Sequence, residues 1–269
     1  MTTLVAPRPL AAAAPARSGW RPVRRAAVPV GLVAAWALVS AAGWAPAAVL
    51  PGPGAVVAAA AEIAGSGMLG TYLQASLLRI AAGVGVGAGA GLVLGLLAGV
   101  STLGEELVDS TLQILRAVPF LAMIPLFIAW FGIDEPFKVA VIAFAVVVPM
   151  YTYTFLAVRA IDAKVLEAAR CFGVTGARLV AGVVLPQALP GILMAVRVCL
   201  AVAVTALVAA ENVGTREGIG YLVAMAREYN RVDHLFVCLV LYALLGVAFD
   251  ALVRVAEAAL LPWRPRVAR

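Results

Sequence analysis

Long apolar runs, each close to the span of a bilayer's hydrocarbon core, recur along this chain and leave little room for a water-facing architecture. A membrane-crossing helix needs about 20 mainly apolar residues. Six stretches meet or approach that length: Val28–Trp44, Leu73–Val100, Thr111–Phe131, Phe137–Val158, Val183–Ala210 and His234–Leu261. The first is short and carries Pro29, and the last holds Asp250, Arg254 and Glu257 toward one end. Of the 269 residues, 64% are hydrophobic and 13% charged, whereas a soluble domain carries roughly 45–50% apolar and about 25% charged residues. So few charges cannot cover a surface in water. The expected fold class is all-α, a polytopic membrane helix bundle of about six transmembrane helices.

The charged residues that remain are informative by position. Twenty basic against 14 acidic residues give a net charge of +6, but the arginines sit at the ends of apolar runs rather than in one stripe. That placement fits topology-setting charge and not nucleic-acid binding. Cys171, Cys199 and Cys238 are far apart and His234 is the single histidine, so the clustered ligands of a metal site are missing. With the N-terminus inside, twelve Lys and Arg residues fall on the inner side and four on the outer. Basic residues favour the cytoplasmic side, so both termini are expected there. Residues 1–27, rich in Pro, Ala and Arg, read as a disordered cytoplasmic tail; a signal peptide fits less well because the apolar run starts late. Residues 28–263 form the expected transmembrane domain, with residues 264–269 a second cytoplasmic tail.

Between spans, Leu50-Pro51-Gly52-Pro53 leads into a mildly apolar segment that ends near Gly65, expected as a helix on the outer surface with Pro53 in its first turn. Span two carries Gly83, Gly87, Gly91, Gly95 and Gly99, one every fourth residue. The G-x-G-x-x-G spacing of a dinucleotide loop does not occur there and no strand precedes it. Glycines at this spacing form one groove along a helix and let a neighbouring backbone come close.

The longest inner connection is residues 159–182. Val165, Ala168, Ala169 and Phe172 recur at helical spacing, while Lys164, Glu167 and Arg170 share another face. Gly173 suits a left-handed helix end and Thr175 a fresh N-cap, and Pro186 and Pro190 mark the entry to span five. The expected object is a short amphipathic helix held just below the membrane, shaped to fit a groove on a soluble partner.

Glu167-Ala168-Ala169, then three residues, Gly173, nine residues and Val183-Val184-Leu185-Pro186 resemble the EAA signature of the permeases of binding-protein-dependent ABC importers, with Val183 in place of Ile. Leu50-Pro51-Gly52-Pro53, Leu115-Arg116-Ala117-Val118-Pro119, Pro125-Leu126, Trp130-Phe131-Gly132-Ile133, Ala210-Glu211 with Gly218-Ile219-Gly220, and Leu261-Pro262-Trp263-Arg264 resemble the nitrate/sulfonate/taurine subfamily. The likeness runs from about residue 50 to 264; Gly52, Ile219 and Asn212 depart from the usual residues. It implies the type I permease fold, with residues 159–182 as the coupling loop. Glu167, Ala168, Ala169, Gly173, Leu185 and Pro186 would then couple the chain to an ATPase. It further implies an ATPase dimer, an extracytoplasmic solute-binding protein and a second permease copy as partners, in a bacterial plasma (inner) membrane. No Lys lies in G-x-x-x-x-G-K-[ST], so ATP and Mg belong to the partner and this chain is expected to be a non-catalytic subunit without cofactor. The solute expected is a small anion such as an aliphatic sulfonate, taurine or nitrate.

Ionisable residues within spans are costly and therefore functional candidates. Arg197 lies near the middle of span five, where a structural salt bridge to Asp250 competes with a role, shared with Arg116 and Arg79, in attracting anions. Glu211, Gly218 and Gly220 lie at the expected outer mouth as a gate or a plain helix end. The rival classes are weaker. A secondary transporter would need coupling sites in broken helices near the midplane, and a membrane enzyme would need acids, histidines or metal ligands clustered at one depth.

Overall fold

The computed structural model describes residues 21–263; the expected tails up to residue 20 and from residue 264 lie outside the described residues. The chain divides into two units, one ending at Pro53 and the other starting at Gly54. The first unit holds α1 (Arg21–Ala41), which carries Pro29 inside the helix and begins ahead of the expected apolar run. Trp36 Nε1 donates to the Pro51 carbonyl at 3.0 Å and folds the following turn back on the helix. The apolar part of α1, Ala27–Ala41, is shorter than a full crossing.

The second unit is all helix among the described residues. It comprises α2 (Pro53–Gly65), α3 (Leu69–Val100), α4 (Thr102–Ala117), a 3₁₀ turn (Phe120–Met123), α5 (Ile124–Phe131), α6 (Glu135–Arg159), α7 (Ala163–Cys171), α8 (Gly176–Leu179), a π-helical turn (Val180–Val184), α9 (Leu185–Glu211), α10 (Ile219–Glu228) and α11 (Val232–Leu260). Among the described residues four helical stretches are long and apolar enough to cross a membrane: α3, α6, the run from α8 through α9, and α11.

The expected third span, Thr111–Phe131, is corrected. Residues 102–131 form two pieces bent by 85°, so this stretch is a broken span and not one straight helix. The cause is local. Val118 precedes Pro119 and is pushed out of the helical region, with ψ 116°, because the proline ring crowds the residue before it. Residues 102–110, ahead of the expected third span, form the start of α4. Ser101 Oγ caps it by accepting from the Gly104 N–H at 3.0 Å, and Asp109 accepts from Tyr151 of α6 at 3.0 Å. Glu105 pairs with Arg159 at the other end of the same helix face.

The glycine ladder runs against α6. A Cβ on Gly91 would lie 2.5 Å from the Val147 carbonyl and 2.8 Å from Met150 Cβ, and one on Gly95 would lie 2.7 Å from Thr154 Cβ. Successive rungs meet successive turns of α6 in the same order, so the two helices run parallel with their backbones nearly touching. Ala195, Cys199, Ala203 and Ala206 of α9 are fully buried, with Cys199 Sγ 3.6 Å from the Val146 carbonyl of α6, and small residues again allow close approach. Outward faces are apolar: Leu78, Val86 and Val93 of α3 and Leu239, Val247 and Val255 of α11 are more than half exposed. Such a surface belongs in lipid or against another chain.

Span five also starts earlier than expected. Pro186 and Pro190 do not open it; the helix is continuous back to Gly176 through the π turn. A proline inside a helix lacks its N–H and crowds the carbonyl four residues back. The widened turn before Leu185, where the Leu185 N–H reaches the Val180 carbonyl, makes room for that crowding.

Candidate functional site

At the end of the bundle where α9 stops, a buried ionic knot ties four segments together. Glu211 is 1% exposed. Its Oε1 accepts from Ser76 Oγ at 2.7 Å and from Arg79 Nη1 at 2.5 Å, and its Oε2 accepts from the Gly220 N–H at 2.8 Å. Ser76 and Arg79 are three residues apart on one face of α3, so a single helix turn presents both donors. Ser76 Oγ in turn accepts from the Ile219 N–H at 3.0 Å, and Arg79 Nη1 also reaches the Glu217 carbonyl at 2.7 Å. Removing one partner of a buried, hydrogen-bonded pair strands the other charge, which is why such pairs fix geometry.

The glycines of the 212–220 loop follow from this knot. Gly218 has φ +120°, and a Cβ there would sit 2.5 Å from Glu211 Oε1 and 2.6 Å from Arg79 Nη1. Backbone conformation and space both exclude a side chain. At Gly220 a Cβ would collide with Glu211 Cβ. Of the expected gate residues, Glu211, Gly218 and Gly220 thus come together.

The other face of Arg79 is occupied too. Its Nε and Nη2 form a fork on Glu135, at 2.6 and 2.7 Å, and Lys138 Nζ donates to Glu135 Oε1 at 2.9 Å. Lys138, near the start of the expected span Phe137–Val158, is buried in the first turns of α6 beside the Phe137 ring. A cavity of about 530 Å³ opens beside this cluster, walled by Arg79, Glu135, Lys138 and Arg216 among others.

Arg197 lies elsewhere, half-buried between α9 and α11. Its Nη2 donates to Glu257 at 3.0 Å, and its Nε stands 3.2 Å from Asp250 without hydrogen-bond alignment. Asp250 also holds Arg254 at 2.6 Å. Arg116 is exposed in the last turn of α4, on a cavity with Asp109, Gln113 and Tyr151. The three arginines expected to act together therefore sit in three separate surroundings. Sequence reasoning missed Ser76, Glu135 and Lys138 as partners of the Glu211 region, and Glu257 as a partner of Arg197. Asp250 and Glu257 lie seven residues apart and share a helix face, a signal that was available.

At the opposite end of the bundle, α7 hangs between the C-terminus of α6 and the start of the α8–α9 run. Asp162 caps it by accepting from the Lys164 N–H at 3.0 Å, and Gly173, at φ +80°, ends it. Leu166 and Ala169 are half-buried, whereas Glu167, Ala168 and Phe172 are exposed, Phe172 to 87%. Leu185 and Pro186 lie beyond the π turn rather than on α7.

Residues 91–261 match the family described as binding-protein-dependent transport system inner membrane component. The chain belongs to this family. It is 40% identical over 248 residues to the Bacillus subtilis (strain 168) protein named "Putative aliphatic sulfonates transport permease protein SsuC", covering 92% of this chain and 89% of that one. The Escherichia coli (strain K12) protein of the same name is 41% identical, covering 88% of this chain and 90% of that one. The taurine transport system permease protein TauC of Escherichia coli (strain K12) is 30% identical over 73% of this chain and 71% of its own length. In fold, this permease resembles a chain of an amino acid ABC transporter crystallised with histidines, with a TM-score of 0.61 and 17% identity over 74% of this chain and 97% of that one. A chain of the inward-facing MetNI methionine ABC transporter matches with a TM-score of 0.53 and 24% identity over 67% and 90%. The permease is thus a multi-pass inner-membrane subunit of an ABC importer, built on the fold of this transporter class.

Proposed function

We propose that this permease carries an alkanesulfonate or taurine, and that α7 couples it to a separate ATPase. The observation that carries the solute reading is the 40–41% identity to the two SsuC permeases along nearly the whole chain. The buried, paired cations beside the 530 Å³ cavity suit an anionic solute.

On this reading the EAA stretch of α7, with Glu167, Ala168 and the exposed Phe172, docks into a groove of the ATPase, and Gly173 gives the helix its fixed exit angle. The capped, short helix moves as a rigid lever with α8 and α9. ATP and Mg bind the partner ATPases, whose closure swings the spans toward a solute-loaded binding protein; hydrolysis resets them. Two identical permease chains form the path on a two-fold axis, the commonest arrangement for like subunits. The α7 end faces the cytosol together with both termini, and the Glu211 end faces outward.

The test is uptake. Proteoliposomes holding the permease, its ATPase and its binding protein should accumulate radiolabelled ethanesulfonate or taurine only when ATP is present. Accumulation of some other solute, with none of either sulfonate, would overturn the assignment.

A further inference from the structure

The ion pairs around Arg79 differ sharply in how firmly their carboxylates are held. Glu211 has no side-chain exposure and three donors on its two oxygens. Glu135 is bound by the same guanidinium, yet its side chain is 58% exposed, against 7% for Arg79 and 3% for Lys138. Two buried cations are therefore preset on the cavity wall, and their second counter-ion is a solvent-facing carboxylate.

We infer that Glu135 is a built-in stand-in for the transported anion, and that an alkanesulfonate headgroup displaces it from Arg79 and Lys138. The inference rests on the anionic-solute reading above and names its site. The pairing supports it: with Glu135 swung away, Arg79 keeps the buried carboxylate of Glu211, whereas Lys138 loses the carboxylate it is paired with. Geometry supports it as well. Three donors, Arg79 Nε, Arg79 Nη2 and Lys138 Nζ, converge on Glu135 within 2.6–2.9 Å. A guanidinium fork matches two oxygens of an oxyanion side by side. A sulfonate brings three equivalent oxygens, one for each donor, where a carboxylate must share one of its two. The cavity of about 530 Å³ falls in the range of small-molecule pockets, leaving space for a short alkyl chain.

Competition keeps the site weak, as a passage site must be. Glu135 competes from within, and Asp134 and Glu217 add negative charge to the same wall. A sulfonate entering the cavity exchanges one ion pair for another and leaves again without a deep well. No bond forms or breaks.

Ethanesulfonate titrated calorimetrically into the nanodisc-reconstituted permease–ATPase complex tests this. Glu135→Gln, which removes the competing charge and keeps the shape, should bind about tenfold or more tightly than wild type, the scale of one charge-assisted hydrogen bond. Adding Lys138→Gln to that variant should lose the gain. Binding by Glu135→Gln no tighter than by wild type, or a double variant that binds as tightly as Glu135→Gln, overturns the inference. Should the buried Lys138 substitution prevent assembly, the comparison of Glu135→Gln with wild type decides alone. An importer that moves some other solute and no sulfonate removes the substrate assignment, whereas the titration reads this cluster directly.

Discussion

The packing of α3 on α6 can be tested by single methyl groups on one helix. Gly87 and Gly89 lie two residues apart on α3 and face opposite ways. A Cβ on Gly87 would land on the Ala143 carbonyl oxygen, 2.8 Å from Ala143 Cα and 2.9 Å from its carbonyl carbon, all backbone of α6. A Cβ on Gly89 would meet nothing within 4 Å. Restoring ordinary contact, about 3.5–4.0 Å between carbon atoms, requires the two helices to part by roughly 1 Å. No side chain can rotate to relieve the clash, and every rung of the ladder loses contact together. Overpacking of a tight core costs about 1–3 kcal/mol, and backbone collision places this case in the upper half of that range. Both variants gain the same roughly 0.8–1 kcal/mol of helix propensity from Gly to Ala.

The propensity gain cancels between the two variants. Gly87→Ala should therefore be less stable than Gly89→Ala by about 2–3 kcal/mol, with Gly89→Ala at or above wild type. Gly83→Ala should fall between them, because the Cβ there meets the Ile142 side chain at 2.5–2.6 Å rather than backbone. Reversible unfolding of the purified permease by SDS in mixed micelles reads these differences. Equal stability of Gly87→Ala and Gly89→Ala would refute the parallel, backbone-to-backbone packing.

Three further outcomes follow from the charged groups. Glu211→Ala removes the buried acceptor of Ser76, the Gly220 N–H and one arm of Arg79 and should cost about 3–5 kcal/mol in the same unfolding assay; a wild-type value would show that the knot does not hold the α9–α10 loop. Arg197→Gln should cost about 1 kcal/mol or less, since its partners are 39% and 32% exposed and exposed pairs contribute little; uptake should continue, and its loss would place Arg197 in the solute path. The hydrogen bond from Arg231 holds the Glu62 carboxyl below its ordinary value of 4.5, assisted by His234 nearby, while Asp233 and Glu62 hold the Arg231 guanidinium charged. A lowered carboxyl pKa contributes binding above its ordinary value and loses it as pH falls through the lowered one. Spin labels at Val57 and Glu228 should thus keep one separation at neutral pH and spread on acidification below 4.5, with no such spread in Glu62→Gln; identical pH responses would dissolve the tie.

The membrane character, the start of α2 at Pro53 and the end of α7 are legible because each depends on local signals: apolar length, a proline in a first turn and Gly173 as a left-handed end. The glycine ladder announced a close approach but not the partner, since α6 carries no matching stripe and its Ala143 and Val147 backbone meets the glycines. The bend between α4 and α5 was hidden by reading hydropathy across Val118-Pro119, although that dipeptide was the cause of the break. Glu211, Gly218 and Gly220 could be grouped because they are near in sequence. Their dependence on Ser76 and Arg79, more than 130 residues earlier, is tertiary and leaves no local trace. The burial of Lys138 leaves no local trace for a related reason: it follows from Glu135 one turn back and Phe137 beside it, which hydropathy counts as an end of span.

What α7 touches decides whether it couples the permease to an ATPase. A photo-crosslinking amino acid in place of the exposed Phe172 should join the permease to its ATPase in the assembled transporter, and Glu167→Lys should abolish the adduct together with solute-stimulated ATP hydrolysis. Crosslinks solely to lipid or to a secreted binding protein, with hydrolysis undiminished in Glu167→Lys, would contradict it.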